Sequence, residues 1–163
     1  MKNINRRNFV KTSALAGAAF TIVPGTVLGK MAGHVAPSDK LNIAGVGIGG
    51  MGRNNLRDMS SENIVALCDV DWNYAAKTFR DYPKAQKFKD WREMLDKAGH
   101  SIDAVLVATP DHTHAVISMA AIRAGKHVYC QKPLTHNVAE ARQLTAAAKE
   151  AKDTPIPMPP WTM

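Results

Sequence analysis

A short apolar segment followed by closely spaced glycines is the part of this chain best suited to chemistry. Residues 41–46, Leu-Asn-Ile-Ala-Gly-Val, predict a buried strand, and residues 47–52 read Gly-Ile-Gly-Gly-Met-Gly. A strand that runs through such glycines into a helix is typical of a dinucleotide-binding turn. In that turn Gly47 permits the tight bend, Gly49 lets the backbone approach a diphosphate, and Gly52 lets the helix pack on the strand.

The start of the helix that follows is predicted to complete the anion site. Its first N–H groups, among them those of Gly50 and Met51, have no partner within the helix and carry a partial positive charge. A phosphate group satisfies both features. The alternative register of Gly45, Gly47 and Gly50 also fits the pattern, but it shortens the preceding strand, so the register that starts at Gly47 and ends at Gly52 is preferred.

An acidic residue stands where a dinucleotide site requires one. Residues 63–68, Asn-Ile-Val-Ala-Leu-Cys, predict a second buried strand that ends at Asp69, 22 residues after Gly47. An acid about 20 residues beyond the glycines accepts hydrogen bonds from the adenosine ribose hydroxyls. It also repels a 2′-phosphate, and the following Val70 and Asp71 supply no arginine, which favours NAD over NADP. The alternative is that Asp69 only caps the next helix, which Asp71 could do instead.

Apolar segments that predict strands alternate with segments that predict helices. Strands are expected at residues 41–46, 63–68, 85–88, 105–107 and 127–129, and helices at residues 51–59, 72–82, 91–98, 115–124 and 137–151. This alternation predicts an α/β fold, a doubly wound, Rossmann-like parallel sheet with strand order 3-2-1-4-5. A sixth strand is missing, because residues 152–163 contain four prolines and each proline lacks a ladder donor.

Two polar loops follow the fourth and fifth predicted strands. Because the carboxyl ends of parallel strands meet at one edge of the sheet, these loops, the glycine turn and Asp69 are expected to form one site. The candidate cofactor-binding residues in the two loops are Thr109, Pro110, His114, Gln131, Lys132 and Pro133. The pair His112 and His114 has no nearby third ligand, so no metal site is predicted.

The distribution of charge argues against a nucleic-acid partner, and the positions of the cysteines argue against a disulfide. The formal net charge is +7, but residues 1–30 hold five basic and no acidic side chains, which leaves 16 basic residues against 14 acidic ones elsewhere. Such a near-neutral surface predicts no nucleic-acid partner.

Cys68 and Cys130 fall at the ends of two predicted strands that lie three strand spacings apart, about 14 Å. A disulfide needs Cα atoms within about 7 Å, so both are predicted to be free thiols.

The N-terminus has the pattern of an export signal. Arg6 and Arg7 precede a short apolar stretch that is shorter than the roughly 20 residues needed to cross a bilayer, so no stable membrane insertion is expected. The arginine pair resembles a twin-arginine signal, with Asn5 where Ser or Thr is usual, and predicts a periplasmic or secreted protein. A basic N-terminus in a cytoplasmic protein is the alternative. The predicted divisions are a signal peptide (1–29), a linker (30–39), a dinucleotide-binding domain (40–151) and an irregular proline-rich tail (152–163).

Taken in order, the glycine turn, Asp69, the Thr-Pro loop and the Lys-Pro loop resemble the nucleotide-binding half of the Gfo/Idh/MocA oxidoreductases over about residues 41–151. The resemblance implies that Lys132 lies beside the nicotinamide and the substrate hydroxyl, as the catalytic residue. It also implies that Thr109, Pro110 and His114 contact the cofactor. Many members carry Glu where this chain has Gln131, and a neutral amide supplies no negative charge to the neighbouring lysine.

The resemblance implies the nucleotide-binding half of an NAD-dependent oxidoreductase that acts on a sugar or polyol hydroxyl. We expect no turnover from this chain alone, since the substrate domain of the family is missing from it. One alternative is an NAD-dependent glycosidase of the same superfamily, and another is a non-catalytic nucleotide-binding fragment. The composition of residues 152–163 favours a truncated or frame-shifted reading frame over a genuine short tail, and an uncovered sheet edge favours self-association.

Overall fold

Five short strands form one parallel sheet in the computed structural model, which describes residues 40–153. The strands are β1 Asn42–Val46, β2 Asn63–Cys68, β3 Gln86–Phe88, β4 Ala104–Val107 and β5 His127–Cys130. Their order across the sheet is β3-β2-β1-β4-β5, and each neighbouring pair is parallel. The predicted doubly wound, Rossmann-like fold with strand order 3-2-1-4-5 is confirmed.

Helices follow the strands and carry the chain back across the sheet, as parallel neighbours require. They are α1 Gly50–Asp58, α2 Ala76–Asp81, α3 Trp91–Ala98, α4 Asp111–Arg123 and α5 Val138–Asp153, with a short 3₁₀ turn at Gly99–Ser101. Asp90 caps α3 by accepting a hydrogen bond from the Arg92 amide at 2.8 Å. Glu93 accepts a hydrogen bond from Lys97 Nζ, four residues later in the same helix, at 2.6 Å.

The three central strands, β1, β2 and β4, are largely buried on both faces, which explains why they are almost continuously apolar. The edge strands β3 and β5 are more exposed. Successive side chains of a strand point to opposite faces. In β1, Ala44 and Val46 belong to one buried cluster with Met94 of α3, whereas Ile43 belongs to the other with Leu56 of α1. Two separate buried clusters, one on each face of the sheet, therefore fix the strands and keep their carboxyl ends at one edge.

The helix predicted at residues 72–82 begins four residues later than expected, so that boundary was wrong. Asp71 Oδ1 accepts hydrogen bonds from the amides of Asn73 and Tyr74, each at 3.0 Å. Residues 72–75 form a turn, and α2 starts only at Ala76. The short acidic side chain competes with the helical hydrogen bonds by bonding to the backbone just after it.

The helix predicted at residues 115–124 begins four residues earlier than expected, at Asp111. Pro110 occupies the position before it with φ −59°, and it needs no N–H donor there. Asp111 adds an acidic side chain in the first turn, where the helix dipole favours negative charge. This extension brings His112, Thr113 and His114 into the first turns of α4.

Several sequence predictions concern residues outside the described range, namely the signal peptide, the linker and all but the start of the proline-rich tail. Within residues 40–153, no helix is long and apolar enough to cross a membrane. In the same part of the chain, β5 pairs only with β4, so the sheet ends there. Cys68 and Cys130 are both free thiols, as predicted, on strands separated by β1 and β4.

Candidate functional site

Gly47 makes the turn between β1 and α1 in a conformation that favours glycine. Its φ is +76°, and its N–H donates to the Cys68 carbonyl oxygen at 2.9 Å. A Cβ at this position would lie 2.6 Å from the Thr109 amide nitrogen. A side chain is therefore excluded both by backbone conformation and by the close approach of the chain that follows β4.

Gly52, which belongs only to the preferred glycine register, lies against the backbone of the turn. A Cβ at Gly52 would lie 2.0 Å from the Gly47 carbonyl oxygen, so α1 can pack against the turn only without a side chain there. The alternative register relies on Gly45, where a Cβ would meet the side chains of Ile48 at 2.8 Å and Leu56 at 3.2 Å. The backbone contact at Gly52 supports the preferred register.

Gly49 and Gly50 are covered by an aromatic side chain that the sequence analysis did not select. A Cβ at Gly49 would lie 2.2 Å from both Cδ1 and Cε1 of Tyr74, and one at Gly50 would lie 2.6 Å from the Tyr74 hydroxyl oxygen. The Tyr74 ring thus occupies the space that side chains at these two positions would need. Because Tyr74 is 66% exposed, its side chain could move aside for a Cβ, unlike the backbone that crowds Gly47 and Gly52.

The Asp69 carboxylate, directly after β2, accepts hydrogen bonds from the backbone of the glycine turn. Oδ2 accepts hydrogen bonds from the amides of Ile48 at 2.8 Å and Gly49 at 3.1 Å, and Oδ1 accepts one from the Asp71 amide at 3.0 Å. Asp69 is 9% exposed. A carboxylate offers about four lone-pair positions, so these three bonds leave one for a further donor. Asp71, not Asp69, bonds to the amides of the turn before α2.

The N-terminus of α1 is open to an anion. Gly49 stands at the N-cap position with no side-chain hydrogen bond to the helix, and the first turn contains no acidic residue. The amides of Gly50, Met51 and Gly52 open the helix, where no intrahelical acceptor is available. A diphosphate fits this end of the helix, because it supplies both acceptor oxygens and negative charge.

His114 joins the two loops that follow β4 and β5. Its Nε2 lies 2.7 Å from the Thr109 carbonyl oxygen and its Nδ1 lies 2.6 Å from the Pro133 carbonyl oxygen. A neutral imidazole donates to one of these oxygens, whereas an imidazolium donates to both. The side chain is 1% exposed. His114 therefore acts as a positioning residue that fixes one loop relative to the other.

The loop after β5 is tied to α1 through Gln131. Its Nε2 donates to the Asn55 Oδ1 at 3.0 Å, and its backbone N–H donates to the Val107 carbonyl oxygen at 2.8 Å. The next peptide bond, between Lys132 and Pro133, is cis. The Lys132 side chain is exposed and has no ion pair among the described residues, so its ammonium group is available to a ligand.

A cavity of about 550 Å³ lies along the carboxyl edge of the sheet. Its size is in the range of ligand sites. The predicted residues that line it are Gly47, Gly49, Gly50, Met51, Asp69, Thr109 and Pro110. Gly52, His114, Gln131, Lys132 and Pro133 do not line it. Gln131, Lys132 and Pro133 lie in the loop that follows β5, and His114 lies in the first turns of α4.

Sequence reasoning missed several residues that line the cavity: Val70, Tyr74, Lys89, Trp91, His112 and Thr113. Lys89 directly follows β3, whose carboxyl end was already placed at this edge, so strand order alone could have identified it. Tyr74 carried no such signal, because residues 72–82 were predicted to form a helix. Within residues 40–153, no group of three or more potential metal ligands occurs.

The protein family follows from comparison with known sequences. The family described as an oxidoreductase family with an NAD-binding Rossmann fold, Gfo/Idh/MocA, matches residues 41–156. The chain belongs to the Gfo/Idh/MocA oxidoreductases. The matched region contains the glycine turn, Asp69, the Thr-Pro loop and the Lys-Pro loop, and the family description agrees with the predicted cofactor, NAD.

Two curated proteins of similar sequence are dehydrogenases. Levoglucosan dehydrogenase of Pseudarthrobacter phenanthrenivorans is 38% identical over 84 residues, which covers 52% of this chain and 21% of that enzyme. Inositol 2-dehydrogenase of Azotobacter vinelandii is 34% identical over 99 residues, which covers 58% of this chain and 29% of that enzyme.

Two solved structures share the fold of this chain. An NAD binding oxidoreductase from Klebsiella pneumoniae superposes with a TM-score of 0.60 at 33% identity, covering 70% of this chain and 33% of that one. GenD2 from gentamicin A biosynthesis, solved in complex with NAD, gives a TM-score of 0.63 at 30% identity, covering 69% and 32%. The present chain spans about a fifth to a third of the length of these four relatives.

Proposed function

We propose that this chain binds NAD(H) as the cofactor half of an oxidoreductase that acts on a sugar or polyol hydroxyl. The observation that carries the proposal is the open N-terminus of α1 beside a cavity that Asp69 and Thr109 also line. Gly50 and Met51 amides would hold the diphosphate, and the remaining acceptor position of Asp69 would receive an adenosine ribose hydroxyl. The relatives named above, levoglucosan and inositol dehydrogenases, support the substrate class.

Lys132 is proposed as the proton partner in the reaction. When NAD is bound, its nicotinamide supplies the hydride acceptor. The chain must then accept the proton of the substrate hydroxyl, for which an amine near the reacting oxygen is suitable. Lys132 is exposed at the end of β5, and its loop is held by Gln131 to Asn55 and through Pro133 to His114. These contacts give the lysine a fixed backbone position at the edge of the site.

Cofactor binding can be tested with a matched pair of substitutions at Met51, the second residue of α1, which is 58% exposed and lines the cavity. Met51→Glu adds a negative charge that favours the helix N-terminus but repels a diphosphate. Met51→Gln has a similar size and no charge. Titration with NADH, followed by tryptophan fluorescence, is expected to show at least about tenfold weaker binding for Met51→Glu only, about 1.4 kcal/mol.

The melting temperature serves as the control in that experiment, because Met51→Glu is expected to melt at or above the temperature of the unaltered protein. Equal NADH affinity in all three proteins would contradict the proposed site. Incubation with NAD and myo-inositol or a glucose derivative separates the enzyme from a binding module. Binding without formation of NADH is the expected result for this chain alone.

We also propose that the chain is exported by the twin-arginine route. The proposal is supported by Arg6 and Arg7 ahead of a short apolar stretch, and by the family assignment, because that route exports proteins folded around a cofactor. Truncation of the reading frame and self-association stay predictions.

A further inference from the structure

Tyr74 lies against the glycine turn although it is 66% exposed. Its ring atoms Cδ1 and Cε1 would each be 2.2 Å from a Cβ on Gly49, and its hydroxyl oxygen would be 2.6 Å from a Cβ on Gly50. A large exposed side chain usually extends into solvent because it loses rotamer freedom when it is held. Here the ring lies along the backbone that opens α1, so its position needs an explanation.

The backbone around Tyr74 is held by hydrogen bonds to Asp71. Its N–H donates to Asp71 Oδ1 at 3.0 Å, and the next amide, that of Ala75, donates to the Asp71 carbonyl oxygen at 3.0 Å. Ala75 is fully buried. The backbone of this turn is therefore fixed by hydrogen bonds, and the ring of Tyr74 is the part of the residue that lies against Gly49 and Gly50.

Gly50 and Met51, the first two residues of α1, are exposed although the ring lies against the turn. The ring occupies the direction in which a Cβ would leave Gly49 and Gly50, and a backbone N–H leaves the same residue in a different direction. Gly49 donates its own N–H to Asp69, so the amides of Gly50 and Met51 are the first that an anion can reach. The Tyr74 hydroxyl is an additional donor at this position.

We propose that Tyr74 is a diphosphate-binding residue: its hydroxyl donates a hydrogen bond to a phosphate oxygen held at the start of α1, and its ring shields that contact from water. The inference rests on the proposed NAD(H) function and adds a residue to the site. It makes Gly49 and Gly50 the surface on which Tyr74 lies, and the same cavity is lined by all three residues.

The test compares Tyr74→Phe, which keeps the ring and removes the hydroxyl, with the unaltered chain. Isothermal titration is carried out with NADH, with ADP-ribose, which has the diphosphate but no nicotinamide, and with adenosine, which has neither. A hydrogen bond to a charged group predicts about tenfold weaker binding of NADH and ADP-ribose by Tyr74→Phe. Adenosine is expected to bind both proteins equally.

Tyr129→Phe is the matched control, because Tyr129 is 50% exposed on β5 and does not line the cavity. It is expected to bind all three ligands like the unaltered chain. Binding of NADH with equal affinity by Tyr74→Phe overturns the inference and leaves the proposed function standing. A Tyr74→Phe effect of equal size on adenosine also overturns it. Failure of the unaltered chain to bind NADH overturns both.

Discussion

The two oxygens of the Asp69 carboxylate face different parts of the site. Oδ2 bonds to the amides of Ile48 and Gly49, so it fixes the turn, whereas Oδ1 bonds only to the Asp71 amide and keeps acceptor capacity. The ribose contact predicted from sequence is thus compatible with a bracing role that sequence did not reveal. Hydrogen bonds between a side chain and a backbone 20 residues away depend on tertiary structure, so no local pattern reports them.

Asp69→Asn tests whether both roles depend on the charge. The amide offers one acceptor oxygen instead of two and carries two donors, so it cannot satisfy the same N–H groups. We expect about tenfold weaker NADH binding, about 1.4 kcal/mol, and a smaller preference for NADH over NADPH because the repulsion of a 2′-phosphate is lost. Fluorescence titration with both cofactors measures this.

Asp103→Asn provides the control for Asp69→Asn. Asp103 Oδ2 accepts a hydrogen bond from the Asn42 amide at 2.8 Å, at the amino end of β1 and away from the cavity. Its substitution removes a similar bond to the backbone without touching the site. If the two variants lost the same cofactor affinity, a specific role of Asp69 would be ruled out.

Cys68 provides a prediction about pH. Burial, together with the smaller effect of the nearby Asp69 carboxylate, raises the pKa of its thiol from 9.0 to about 12. The folded state therefore keeps the thiol protonated where the unfolded state ionises it. This contribution to stability is complete below pH 9 and is lost as pH rises toward 12.

Thermal unfolding of the unaltered chain and of Cys68→Ala between pH 8 and about 11 checks this expectation. Other groups titrate in both proteins, so only the difference between the two curves reports Cys68. The unaltered chain is expected to lose more stability with rising pH than Cys68→Ala. Parallel curves would show that the thiol has the same pKa in both states.

At the scale of elements, the contact between α1 and the turn after β1 decides whether the site exists. A Cβ at Gly52 would lie 2.0 Å from the Gly47 carbonyl oxygen, and backbone on both sides cannot yield as a flexible side chain could. Gly52→Ala is expected to cost about 3 kcal/mol or more, at the upper end of overpacking effects. Urea unfolding measures the loss.

Gly99→Ala is the control for Gly52→Ala. Gly99 has φ −54°, and a Cβ there would meet no atom within 4 Å. The substitution is expected to be neutral or to stabilise the protein by less than about 1 kcal/mol, since alanine reduces the entropy of the unfolded chain. A Gly52→Ala protein as stable as Gly99→Ala would disprove the close packing of α1.

The elements also show how far sequence reasoning reaches. All five strands and their order were predicted. The apolar runs of β1, β2 and β4 carry a strong signal for strands buried on both faces. The short β3 has two exposed polar residues and lacks that signal. The starts of α2 and α4 were not predicted correctly. The start of α2 is delayed because Asp71 bonds locally to the amides of Asn73 and Tyr74. The start of α4 is early because Pro110 begins a helix where a loop was expected. Such boundaries depend on single side-chain contacts.

At the scale of the whole molecule, the sequence placed four loops at one edge of the sheet, and the structure does bring them there. It divides them into two groups, however. The glycine turn, Asp69 and Thr109 line the cavity, whereas Gln131, Lys132 and Pro133 lie beside it and are connected to it through Asn55 and His114. The loop after β5 is therefore held next to the glycine-turn side of the site by hydrogen bonds, without lining the cavity itself.

The proposal that the chain is exported provides the last prediction. The twin-arginine receptor distinguishes arginine from lysine, because a guanidinium presents several donors in a fixed plane and an ammonium does not. Replacing Arg6 and Arg7 by lysine keeps the charge of the N-terminus and removes this geometry. We expect the periplasmic fraction of the protein in a bacterial host to fall at least about tenfold, as measured by cell fractionation and immunoblotting.

Lys11→Arg is the control for charge and length, because it changes a third basic residue of the same segment and leaves the arginine pair intact. Its periplasmic fraction is expected to equal that of the unaltered chain. Export of the double lysine variant at the normal level would refute the twin-arginine route. The double lysine variant that stays in the cytoplasm is also titrated with NADH. If that protein no longer binds NADH, misfolding rather than the missing arginine pair explains the loss of export.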